Sequence, residues 1–429
     1  MMNNAILQFT DRAFLAHESM ESLEAVLPAG MLAYILLGFF QSVVGYSGTF
    51  VAQYLGTGDR AMCRRSYHAG MWIALASGVL MLAALPFGAW VFETFANGPE
   101  VIARQKVYYN ICTAGGVFLF GQMAAQSYFT GLGRTRIVLW VNIIGNALNV
   151  ALDPILIFGW LGCPRFGIAG AAYATVFSTF VQWAILAVAI GREPSPYGGS
   201  VFRFGRSERD LVLRILRFGI PAGAYTVLNI LSFTVFVFFT GKVGHVEMAV
   251  SNACFTVNYL LFAPMEGFAL GAATLVGQAQ GRGDAATAMK AGTRSMVLGV
   301  AVAAVLSGLA VAFHGPILSL FSARVGPTEV AQFQSLGLTL FVLMAAWQVF
   351  DAADVVILGA LKGAGDTRFV MWWMMFVSFG IWLPLVWAVA VWHNTMVALW
   401  GTVVLDVVIL CVGTMIRWFG GFWKGIKVV

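Results

Sequence analysis

FVAQYLGTGD at residues 50–59 returns as LVGQAQGRGD at residues 275–284, an offset of 225, and GLGRTR at 131–136 returns as GAGDTR at 363–368, an offset of 232. Each copy adjoins a long apolar run, and an even number of such runs separates the members of each pair. If the runs cross a membrane, the two halves pass through it in the same sense, as a parallel repeat about a pseudo-two-fold axis along the membrane normal. The glycines of GTGD and GRGD look like a phosphate loop only superficially. They lack its Lys-Ser/Thr and read instead as turns with helix caps. The seam GREPSPYGGSVFRFGRSERD at 191–210 is polar and rich in Gly, Pro and Arg, as a linker requires. The expected organisation is an N-lobe at 1–190, a cytoplasmic linker at 191–211 and a C-lobe at 212–429.

Composition supports the crossing. Of 429 residues, 60% are hydrophobic and 10% are charged, where a soluble domain carries roughly 25% charged residues. This excludes a soluble enzyme, a disordered chain and, despite a pI of 9.1, a nucleic-acid binder. The five cysteines (Cys63, Cys112, Cys163, Cys254 and Cys411) are scattered without CxxC spacing, so they imply no disulfide framework and no metal site.

Eleven apolar runs are long enough to span a bilayer, at about 28–52, 67–92, 106–130, 136–158, 167–190, 212–240, 249–275, 295–321, 332–361, 369–391 and 396–418. A twelfth piece, Ala5 to Leu15, is too short. The repeat sets Phe9-Thr10 against Phe233-Thr234 and Met1 opposite Tyr225, so this piece reads as a truncated helix 1 whose first half is missing, with a start codon placed too late as the preferred cause. With it counted as a partial crossing, 19 of the 25 Lys and Arg fall in one set of loops, Lys362 among them. The other set holds only Arg12, Arg104, Lys106, Arg165, Lys242 and Arg324. That bias puts the linker and the C-terminus in the cytoplasm of a multi-pass cell-membrane protein. Trp372, Trp373, Trp392 and Trp400 are expected in the interfacial aromatic belt.

Six carboxylates fall within the runs: Asp11, Asp153, Glu266, Asp351, Asp354 and Asp406. Each costs roughly 2.5–3.5 kcal/mol at a bilayer centre, so each must pair, bind an ion or protonate. In NIIGNALNVALDPILIFG (142–159), Asn149 and Asp153 stand four apart on one helical face, with Asn146 one turn earlier. Pro154 has no amide hydrogen, which frees the carbonyl of Val150. Carboxylate, amide and freed carbonyl together make a plausible hard-cation ligand set. Thr175, on the next run, could complete it. A polar network that only locks helices together is the bland alternative.

The paired Q-x-x-G-x-G-D loops, LKGAGDTR, NIIGNALNVALDPILIFG and GIAGAAYATVFS (167–178) resemble the multidrug and toxic compound extrusion (MATE) transporters. The resemblance implies an all-α polytopic fold of two six-helix lobes around a V-shaped cleft. It also implies export of organic cations and other drugs in exchange for H⁺ or Na⁺. By motif, Asp11, Asn149 and Asp153, with Thr175, map onto the family's N-lobe ion site. Asp351 stands where some sodium-coupled members carry an acid, usually paired with an acid on the first C-lobe helix. Here that helix offers Asn229 and no acid, and Glu266 is the substitute expected at comparable depth. Asp354, nearer the cytoplasm, could instead cap or pair with the loop, and Asp406 reads as a packing-network member. No cofactor is implied beyond the transported H⁺ or Na⁺. The partners expected are small amphipathic or cationic molecules and membrane lipid, with the protein a monomer.

A lipid-linked precursor flippase of the same superfamily is the nearest rival, but it would need a strongly basic cleft. A polytopic membrane enzyme would need convergent catalytic residues at one interface, and the sequence displays none.

Overall fold

A computed structural model describes Phe14 and residues 18–95, 98–193, 206–321 and 329–429, all as helices, turns and connecting segments, with no β-strand among the described residues. The α-helices are α1 Met20–Gly45, α2 Ser47–Thr57, α3 Arg60–Ala83, α4 Leu85–Phe95, α5 Pro99–Ala114, α6 Gly116–Gly131, α7 Thr135–Phe158 and α8 Ile168–Gly191. They continue as α9 Arg206–Thr240, α10 His245–Gly281, α11 Ala285–Ala312, α12 His314–Ser319, α13 Val330–Ala364, α14 Thr367–Met374, α15 Leu383–Trp392 and α16 Met396–Phe419. Among the described residues, ten helical segments are long and apolar enough to cross a membrane. The eleventh apolar run, at 106–130, is divided at Gly115 into α5 and α6, of 16 residues each.

The chain forms two compact units, one ending at Gly223 and the other spanning Ala224–Val428. The division falls inside α9. Its N-terminal part packs in the first unit, where Phe218 stacks on Tyr46 at 6.1 Å and the guanidinium of Arg214 lies over the Phe50 ring.

The repeated motifs build the same turns in both units. Gly58 and Gly283 take left-handed φ values of 83° and 73°, which glycine alone adopts without strain. The amides of Asp59 and Asp284 then close back onto Tyr54 and Ala279 carbonyls, each at 3.0 Å. Their carboxylates accept from the amides of Met62 (3.0 Å) and Thr287 (2.9 Å), capping α3 and α11. At the second pair, Arg134 N bonds Phe129 O at 2.8 Å and Asp366 N bonds Leu361 O at 2.9 Å. The sequence repeat is thus a repeat of backbone hydrogen bonds at the same offsets.

Both edges of the linker are fastened to the first unit. Glu193 accepts from Tyr128 Oη (2.8 Å) and pairs with Arg134, while its carbonyl accepts from Arg64 (3.2 Å). Glu208 pairs with the adjacent Arg65 of α3 at 2.9 Å.

In the second unit, small residues let two helices touch backbone to backbone. A Cβ on Gly359 or Gly363 would lie 2.3 Å from the carbonyl oxygen of Ala269 or Ala273, respectively. Gly359-x-x-x-Gly363 on α13 therefore seats on Ala269-x-x-x-Ala273 on α10, and the two helices run in the same direction. This is the small-residue packing by which helices associate in lipid. A π-helical stretch at Met375–Trp382 links α14 to α15. The indoles at its flanks are tied to α16, Trp373 to the Leu410 carbonyl and Trp382 to the Thr402 hydroxyl, each at 3.1 Å.

The aromatic belt needs correction. Trp372 and Trp392 are exposed, as a belt requires. Trp400 is buried, 4.8 Å from the Phe255 ring and 4.9 Å from Trp347, with its indole nitrogen donating to Ser251. Trp373 is partly buried and spends its indole N–H on α16. Adjacent positions in the sequence carry the same residue type, and only the helix face separates belt from core.

Arg104 and Arg165 converge on Glu18, each at 3.4 Å, and Arg104 also bonds Ser22 at 2.6 Å. Burial alone would raise the Glu18 carboxyl, but the hydroxyls of Ser22 and Ser19 and the two guanidiniums outweigh it and hold the group below its ordinary value of 4.5. A depressed carboxylate contributes stability that is present above the unfolded value and is lost as pH falls through the folded one. The thermal midpoint of the purified protein should therefore drop on acidification below about 4.5, and Glu18→Gln should start lower and change less over that window. Equal slopes for the two proteins would remove Glu18 from the account. Gly363→Ala forces α13 off α10 and should cost about 1–3 kcal/mol, seen as a lower midpoint than that of Gly308→Ala, where a Cβ meets nothing within 4 Å.

Candidate functional site

On α7, Asn142, Asn146, Asn149 and Asp153 recur at spacings of four, three and four, which places them on one stripe of the helix. The helix continues through Pro154; proline has no amide hydrogen, so the Val150 carbonyl lacks its intrahelical donor. Asn149 and Asp153 are both 0% exposed. The Asn149 side-chain amide donates to the Thr175 hydroxyl of α8 at 3.3 Å. Its Oδ1 receives no hydrogen bond among the described residues. An acceptor kept dry and without a donor costs about 1–3 kcal/mol, and a cation or a donor-bearing group relieves that cost. The Thr175 carbonyl is already used by the hydroxyls of Ser178 (3.0 Å) and Thr179 (2.8 Å).

The structure thus brings Asn149 and Thr175 together, with Asp153 on the same stripe and Asn146, partly buried, one turn away. Asp11 lies outside the described residues.

Further along the stripe is an amide cluster that sequence reasoning missed. Gln122 Nε2 of α6 lies 2.9 Å from Gln182 Oε1, 3.2 Å from Gln126 Oε1 and 3.5 Å from Asn142 Oδ1. Two amide hydrogens face three oxygens, so acceptor capacity is left over for a ligand donor. Gln182 reaches this position across Gly145, where a Cβ would lie 1.9 Å from its nitrogen. The available signal was Gln122-x-x-x-Gln126 on α6 and a glycine within the stripe of α7.

The second unit gathers the remaining acids. Asp354 is buried and accepts from the Thr414 hydroxyl of α16 at 2.6 Å, so its partner is a neighbouring helix and not the loop. Asp406, also buried, accepts from Ser378 on the π-helical stretch at 3.4 Å. Asp351 is electrostatically coupled to Asp354, Glu266 and Asp406, and Tyr225 to all four acids. Two turns beyond Asp354 on α13, Lys362 is not a free loop base. Its Nζ lies 4.0 Å from the centroid of the Tyr225 ring, and its charge acts on Glu266 and Asp354. Helical side chains lean toward the N-terminus of their helix, and that direction aims Lys362 back at the acids.

Comparison with known proteins agrees with this architecture. The MatE family model matches residues 1–155 and 221–388. The chain is 27% identical over 387 residues to a "Probable multidrug resistance protein NorM" of Bradyrhizobium diazoefficiens, covering 89% of this chain and 82% of that protein. A protein of the same name from Rhizobium meliloti is 28% identical over 384 residues, with the same coverages. Among solved structures, a MATE protein in complex with MaD3S superposes with a TM-score of 0.86 at 17% identity, over 98% of this chain and 92% of that one. A MOP-superfamily transporter from Pyrococcus furiosus gives 0.85 at 16%, over 97% and 92%. At those identities the structures establish the fold alone. Together with the family match over most of its length, they establish that the chain belongs to the MatE family: it is a polytopic, all-helical membrane transporter of the multidrug and toxic compound extrusion class, not an enzyme.

Proposed function

We propose that this protein exports amphipathic, mainly cationic compounds across a bacterial inner membrane in exchange for inward H⁺ or Na⁺. The coupling ion is held in the first unit by Asn149 and Asp153, with Thr175, Asn146 and Asp11 as contributors. The observation that carries this reading is the buried Asn149 Oδ1, which has no donor among the described residues and stands one turn from a fully buried carboxylate. Neutral oxygens around one carboxylate suit a hard monovalent cation. A carboxylate that is ion-bound on one side of the cycle and relieved on the other gives a differential interaction, without which no ion shifts a conformational equilibrium. The cargo assignment follows the names of the relatives, and the cluster of Glu266, Asp351, Asp354 and Asp406 around Tyr225 favours cationic cargo. The linker and C-terminus are assigned to the cytoplasm from the loop charge bias.

Export of a fluorescent organic cation from energised vesicles tests the coupling site. Asp153→Asn should cut ion-driven export by at least about tenfold, and Asn149→Ala should raise the ion concentration needed for half-maximal rate. Imposing a pH gradient and a sodium gradient separately identifies the ion. Unchanged ion-driven export by Asp153→Asn would overturn the assignment. Asp351→Asn and Glu266→Gln should weaken cargo affinity while leaving the ion dependence in place.

A further inference from the structure

The lysine inside the second unit has more to do than balance charge. The GxxxG contact fixes the relative height of α10 and α13, with Gly359 beside Ala269 and Gly363 beside Ala273. In that register Glu266 stands level with Val356, and Lys362 lies six residues, about 9 Å, further along. A lysine stem leaning toward its helix N-terminus is directed back along that distance, toward the level of the acids. Its ammonium therefore enters a site with an aromatic face at 4.0 Å and carboxylates of Glu266 and Asp354 within electrostatic reach. Asp354 is fixed by Thr414 at 2.6 Å. The other base of this region, Arg417, is already paired with Asp366 at 2.7 Å and lies over the Phe369 and Phe422 rings. Among the described residues, Lys362 is thus the ammonium set against Glu266 and Asp354, with Asp351 and Asp406 neighbouring acids of the same cluster.

An aromatic face with carboxylates around it is the recognition chemistry for an organic cation. In this protein the chain's own ammonium already exploits it. We propose that Lys362 is a tethered occupant of the second unit's cation site, and that a monovalent cationic cargo binds there by displacing the lysine ammonium from Tyr225, Glu266 and Asp354. The inference rests on reading those acids as a cargo site. Displacement keeps the net charge of the buried cluster constant, so each monocation enters without adding an unbalanced charge. It also makes Lys362 a specificity residue, because cargo that cannot outcompete an ammonium is refused.

Equilibrium binding of tetraphenylphosphonium to the purified full chain in detergent tests this. Lys362→Met removes the competitor and should tighten binding by at least about tenfold. Lys362→Arg keeps a competing cation and should stay near wild type, and Glu266→Gln added to Lys362→Met should erase the gain. Equal or weaker binding by monodisperse Lys362→Met overturns the displacement. A second measurement uses the wild-type chain and avoids any folding defect: mass-spectrometric labelling of Lys362 by an amine reagent should speed up at saturating tetraphenylphosphonium, and unchanged or slower labelling counts against the proposal. If Glu266→Gln and Asp354→Asn leave wild-type binding unaltered, the cargo-site reading itself fails. If they weaken it while Lys362→Met does not tighten it, only the displacement fails.

Discussion

A polar group among lipid-surrounded helices has to find its partner within the protein, because no water is available to supply one. The two units meet this demand with different chemistry. The first uses neutral amides: Asn142, Gln122, Gln126 and Gln182 cluster at one level of the α7 stripe, and Asn149 bonds Thr175 one turn from Asp153. The second uses charge, setting Lys362 against Glu266 and Asp354, with hydroxyls of Thr414 and Ser378 on Asp354 and Asp406. A neutral oxygen-rich environment favours a small hard ion. A charged and aromatic one favours an organic cation. The proposed division of labour between ion and cargo thus rests on the kind of polar group each unit buries.

What could be read from the sequence depended on whether the cause was local. The glycine–aspartate turns were legible because their requirement is contained within a few residues: left-handed φ at Gly58 and Gly283, and a carboxylate next in line to cap the following helix. The polar stripe of α7 was legible because helical spacing alone aligns Asn146, Asn149 and Asp153. The partner across the helix interface was less so. Thr175 is suggested by its depth on the next helix and again by the family resemblance, whereas nothing in the segments of Gln122 and Gln182 announces that they meet. Their meeting depends on Gly145, whose missing side chain leaves room for Gln182.

Direction was the other hidden quantity. Lys362 and Trp400 were both assigned by position along the chain, one to a loop and one to the interface, and both turn inward. A residue one turn from a helix end can reach either solvent or the interior, and the choice is made by what the neighbouring helices offer. For Lys362 that is the Tyr225 ring and two acids; for Trp400 it is Phe255, Trp347 and the Ser251 hydroxyl. Loop charge counts tolerate such an error, because moving one base of nineteen does not reverse the bias. A site assignment does not, because a lysine set against Glu266 and Asp354 changes what the site can hold.

The glycines of α13 connect these observations. Gly359 and Gly363 let α13 touch the backbone of α10, where a Cβ would lie 2.3 Å from the Ala269 or Ala273 carbonyl oxygen. The register fixes the height of Lys362 relative to Glu266, and the lean of helical side chains then carries the ammonium to the acids. The packing motif and the charge network are therefore one device. Small residues chosen for helix association in lipid also determine which charges meet. Any loosening of the α10–α13 contact would change the reach demanded of Lys362, so a methyl group added on α13 acts on the charges of the second unit as well as on its packing.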